Sequence, residues 1–108
     1  MMALYHYTCD HYIDQIRTDG YLRPGLDGLV WLTDMDPPHR TALGLTSYLL
    51  DCDRIAHRVV VPHTNTIMHW TAFRRVNRGW REELESAPGV MPMHWWVSSE
   101  PVPILAAR

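Results

Sequence analysis

Lysine is missing from this 108-residue chain, and all ten of its basic side chains are arginine. Arginine's planar fork binds phosphate in a way an ammonium does not match, but codon bias in a GC-rich genome explains the absence more simply. Cysteine is scarce. Cys9 and Cys52 lie far apart and form no CxxC pair, so a zinc site and a disulfide framework gain little support. Both read as reduced, partly buried thiols. No apolar run approaches the roughly 20 residues of a membrane span, and the N-terminus lacks the basic and apolar regions of a signal peptide. The expected setting is therefore cytoplasmic, with no membrane partner. Internal repeats and low-complexity stretches are absent, and no glycine-rich phosphate loop follows any strand.

What is present describes a folded domain. Hydrophobic residues make up 46% of the chain and charged residues 20%, which excludes a disordered class. The length fits a single domain over residues 1–108. The net charge of −2 is unevenly spread: residues 1–54 carry −4 and residues 55–108 carry +2. Arg74, Arg75, Arg78 and Arg81 form a local basic segment, too small to announce a nucleic-acid binder.

Leu4 to Thr8 (LYHYT) reads as a strand, since aromatic and β-branched residues suit a half-buried pleated surface. Asp10 is an N-cap candidate for a helix with Tyr12, Ile13 and Ile16 on one face, stopped by Gly20. His6 and Thr8 would then stand beside a helix N-terminus, where polar groups converge on ligands. Leu29 to Asp34 (LVWLTD) is a compact apolar strand after a turn-rich loop at Leu22–Gly28. Asp36-Pro37-Pro38 signals a short helix over about 37–43, interrupted at Gly44, with Leu45 to Leu50 as a further turn. Arg54 to Val61 reads as a strand, and Met68–Asn77 with Trp80–Ser86 as one broken helix or two. Met93–Ser98 is another strand, and Val102–Ala106 closes the chain. Helices this short cover a parallel sheet poorly, so a small mixed or mostly antiparallel α+β domain is expected.

LYHYT, a short helix ending in glycine, L-x-P and a strand VWLTD together resemble the N-terminal part of ADP-ribosyltransferase-like domains. The DarT-type DNA ADP-ribosyltransferases and the tRNA 2′-phosphotransferases are the nearest in pattern, over about residues 3–34. The resemblance implies an α+β fold of split antiparallel sheets with short helices, clamping NAD or a related nucleotide in a cleft. It implies that His6 and Thr8 contact a ribose hydroxyl and the nicotinamide amide, and that the second strand, with Trp31 and Thr33, lines the same site. Trp31 stands where the family often has tyrosine, and would stack on nicotinamide. Arg23 or Arg40 would meet the pyrophosphate. The catalytic carboxylate falls to Glu100, the only acidic residue after Glu85, although it sits just before Pro101. Cleaving the nicotinamide bond develops positive charge on the ribose, which a fixed carboxylate stabilises.

Plainer roles compete for each residue. His6 also fits a hydrogen-bonded core histidine, Trp31 a core residue between Val30 and Leu32, Arg40 a solvated helix charge and Glu100 a surface turn. His63, His69 and His94 lack metal-ligand spacing. Trp70, Trp95 and Trp96 read as core in a domain with a single phenylalanine. Three functions follow in order: transfer of ADP-ribose from NAD to an unknown protein or nucleic-acid acceptor, a catalytically inactive nucleotide- or protein-binding module of the same fold, and a metal-independent ribonuclease using His6 with His69 or His94.

Overall fold

Alternating aromatic and smaller residues form strand β1 (Leu4–Thr8), which the chain leaves directly for helix α1 (Asp10–Asp19). The computed structural model describes residues 3–43 and 53–107. Gly20 ends α1 at φ 77°, its N–H bonded to the Ile16 carbonyl, a left-handed cap that glycine adopts without steric cost. Asp10 is not the N-cap but the first helical residue; Cys9 holds the cap position. The Asp10 carboxylate instead meets His57 Nε2 at 2.5 Å. Cys9 is disulfide-bonded, which corrects its reading as a reduced thiol. Separation along the chain carries no information on which thiols the fold brings together. Cys52 lies outside the described residues.

The remaining elements are β2 (Tyr21–Leu22), β3 (Val30–Thr33), β4 (His57–Val61), β5 (Ile67–His69), α2 (Trp70–Val76), β6 (Trp95–Ser98), β7 (Val102–Pro103) and β8 (Ala106–Ala107). Six strands form one sheet in the order β5-β6-β3-β1-β4-β8, and β2 pairs with β7 in a second. All registered pairs are antiparallel. The fold is thus a small α+β structure with split antiparallel sheets and short helices, as expected.

Several boundaries differ. No helix forms at 37–43, where the chain runs through turns, and the Tyr7 hydroxyl donates to the Met35 carbonyl and the Asp36 carboxylate just before it. The segment Leu45–Leu50 lies outside the described residues. Met68 and His69 belong to β5, and α2 begins only at Trp70, because the His69 side chain caps it by accepting from the Thr71 N–H. Of Trp80–Ser86, only Glu82–Ser86 winds into a 3₁₀ turn. A second 3₁₀ turn, Pro92–His94, precedes β6.

The main sheet is packed on both faces, each following the two-residue period of a strand. Leu4, Val30, Leu32, Val59 and Val61 meet Ile13, Leu22 and Val102 on one face. On the other, Trp95 and Val97 join Leu29 and Trp70, with Trp31, Phe73 and Trp80 against them. Trp70 and Trp95 are buried, as expected, while Trp96 is half-buried. Leu4 and His6 lie opposite Val61 and Val59, so the Leu-His-Thr side of β1 belongs to a core face, as much as the tyrosine side does.

Candidate functional site

β1 pairs with β4 along all five of its residues, but with β3 only at Tyr5↔Thr33. Past that pair the two strands part, and a side chain takes over from the ladder: His6 Nδ1 lies 2.7 Å from the Trp31 carbonyl oxygen. A carbonyl can only accept, so Nδ1 carries the proton, and the neutral ring keeps Nε2 as an acceptor. Burial holds the His6 pKa below its ordinary value, and the bond to Trp31 offsets this only in part. His6 is therefore neutral at pH 7.

The parts of the two strands beyond their shared pair, His6–Thr8 and Val30–Trp31, line a cleft of about 1180 Å³ while keeping their ladders to β4 and β6. Tyr12 and Ile16 of α1, the loop after β2, and Arg54 and Arg81 complete its walls. The loop is fixed by Asp27. Its Oδ1 accepts from the Leu29 N–H at 3.0 Å, and its Oδ2 accepts from Trp31 Nε1 at 2.8 Å and Arg81 Nη1 at 3.1 Å. Trp31 is further held by ring contacts with Trp70 at 5.1 Å and Trp95 at 6.0 Å. It is half-buried, so it serves at once as core and as cleft wall.

Four residues named from the sequence, His6, Thr8, Trp31 and Arg23, share this cleft. Arg23 is exposed, lies over the Tyr21 ring and donates to Asp19 Oδ2 at 3.2 Å. The other three are not among the cleft walls. Thr33 is buried, its hydroxyl accepting from the Met35 N–H at 3.1 Å. Arg40 pairs with Asp53 Oδ1 at 2.8 Å on the surface, and that contact holds the Asp53 carboxyl below its usual range. Glu100 is exposed in the bend after β6, its N–H bonded to Ser98 Oγ at 3.1 Å.

Asp27, Arg54, Arg81 and Tyr12 are cleft residues that sequence reasoning passed over. Asp27-Gly28 was legible only as a turn, and no local pattern ties Arg81 to a residue 54 positions earlier. The other histidines lie elsewhere. His69 spends both ring nitrogens, Nδ1 accepting from Thr71 and Nε2 donating to the Met93 carbonyl at 2.8 Å. His94 Nδ1 meets Asp34 Oδ1 at 2.7 Å, and Trp96 Nε1 donates to the same carboxylate. Among the described residues, no group of three or more His, Cys, Asp and Glu side chains is arranged to hold a metal ion. No helix among the described residues is long and apolar enough to cross a membrane. The chain matches no protein-family model, no curated protein and no solved structure.

Proposed function

We propose that this chain is an ADP-ribosyltransferase-like protein whose cleft takes NAD or a related nucleotide. The observation that carries the reading is His6, a neutral imidazole of fixed tautomer in the cleft wall where β1 and β3 part. Its Nε2 is suited to accept from a ribose hydroxyl. The donor set fits NAD: Trp31 offers an indole for the nicotinamide ring, Thr8 a hydroxyl beside His6, and arginines line the same walls. Bound NAD supplies a ribose–nicotinamide bond whose cleavage leaves positive charge on the ribose. The acceptor would be a protein or a nucleic acid.

A second reading has its own support. Glu100, the expected catalytic carboxylate, is exposed and is not part of the cleft wall, which favours a module that binds the nucleotide without turning it over. Ribonuclease action by His6 with His69 or His94 gains no such support, since neither partner lines the cleft.

Nicotinamide release, measured chromatographically beside NAD binding, separates these readings. Release abolished by Glu100→Gln selects the enzyme with that carboxylate in its expected role. Binding without release selects the module, and neither binding nor release overturns both. Action in the cytoplasm belongs to the same proposal and requires that the Cys9 disulfide, which weighs against it, be reduced there. Disulfides persist in oxidising compartments, so trapping Cys9 in cells as a thiol supports it and trapping it as a disulfide contradicts it.

A further inference from the structure

Three arginines and three carboxylates line the cleft: Arg23, Arg54 and Arg81 with Asp19, Asp27 and Glu83. All three carboxylates are spoken for by two of the arginines. Arg23 Nε lies 3.2 Å from Asp19, and Arg81 lies 3.1 Å from Asp27 and 3.6 Å from Glu83. Arg54 forms no ion pair or side-chain hydrogen bond among the described residues, although it is half-buried. A guanidinium carries five N–H donors in a planar fork, and partial burial costs it hydration that no acceptor among the described residues replaces.

The position of Arg54 narrows what it meets. It lies three residues before His57, which is paired with Thr8 and bonded to Asp10. That places it at the end of the cleft where β1 passes into α1, next in the fold to the His6–Thr8 wall. Other arginines of the first half are neutralised: Arg17 by Asp14 and Arg40 by Asp53.

The geometry points to Arg54 as the cation that binds the diphosphate of the cleft's ligand, in place of the Arg23 or Arg40 expected from the sequence. The two oxygens of a phosphate match its fork, and the bond is charge-assisted. The inference rests on the nucleotide reading for the ligand's identity but not for its charge.

Calorimetric titration of the whole chain with ADP, adenosine, NAD and inorganic pyrophosphate tests it. Arg54→Gln should weaken ADP and pyrophosphate binding about tenfold or more while leaving adenosine within about twofold. Arg54→Lys should recover part of the loss, and the exposed Arg75→Gln should lose nothing. ADP affinity should fall as salt is raised. Circular dichroism and thermal midpoints confirm that the variants are folded, and the lysine variant carries the test if the glutamine variant is not. Equal ADP affinity in wild type and Arg54→Gln, or a larger loss in Arg23→Gln, overturns the assignment. Pyrophosphate binding that needs Arg54, without NAD binding, keeps the anion site and removes the NAD reading. No binding of any of the four removes both.

Discussion

His6 and Trp31 are joined by a side-chain bond of 2.7 Å at the point where the β1–β3 ladder has already ended. The imidazole therefore satisfies the Trp31 carbonyl where the ladder no longer does, and in the proposed function it also presents Nε2 to the ligand. His6→Ala leaves that carbonyl without its partner and should cost about 1–3 kcal/mol in a denaturant titration. His6→Asn places an amide N–H near the position of Nδ1 and should restore part of the loss. Equal destabilisation by both variants would count against the bond as the source of the cost.

The pH dependence of stability carries the same signature. The pKa of His6 is lowered in the folded state, so the unfolded chain takes up this proton first as pH falls through its ordinary value of 6.5. The His6 contribution is therefore present above about pH 6.5 and is lost as pH falls toward the folded-state value. Denaturation midpoints measured from pH 7.5 to 5 should fall less steeply in His6→Asn than in the wild type, by up to about 1.4 kcal/mol per pH unit. Parallel curves would show that His6 does not titrate differently on unfolding.

Asp27 organises the cleft loop from a single carboxylate. Asp27→Ala strips the acceptor from the Leu29 N–H, Trp31 Nε1 and Arg81 together. About 1–3 kcal/mol should be lost, with a change in tryptophan emission as Trp31 loses its indole partner. Asp27→Asn should retain much of the loop because it keeps one acceptor oxygen. An unchanged emission spectrum in Asp27→Ala would contradict the role given to this residue.

Gly89 is needed on two counts. Its φ is +80°, and a Cβ there would lie 2.5 Å from Thr41 Cγ2. Gly89→Ala should lower stability by about 1–2 kcal/mol for the backbone alone, with the contact adding to it. Thr41→Ala in the same chain should remove the added part and leave the backbone part. Full recovery in the double variant would show that the left-handed backbone costs nothing here.

Much of the fold was legible because local rules agree with tertiary packing. LYHYT became β1, Gly20 ended α1, and VWLT became β3. Legibility failed where one side chain redirected the backbone. His69 caps α2 while Ile67–His69 pair with β6 as a strand, and Tyr7 bonds Met35 and Asp36 where a helix start is expected. At the site, His6, Thr8, Trp31 and Arg23 could be named because they sit on or beside the first strands. Arg54 and Arg81 could not, since they reach the cleft through pairing between distant segments. Resemblance and elimination along the chain both point to Glu100, and neither carries information about which way a bend faces.

Histidine nitrogen NMR during an NAD titration tests the central claim most directly, because it reads the two ring nitrogens of His6 separately. The account predicts that Nδ1 stays protonated throughout while the Nε2 resonance moves on binding, with tryptophan signals of Trp31 moving in the same titration. The other six histidines should change less. A titration to millimolar NAD that leaves His6 and Trp31 unmoved, or that moves only His69 and His94, would contradict it.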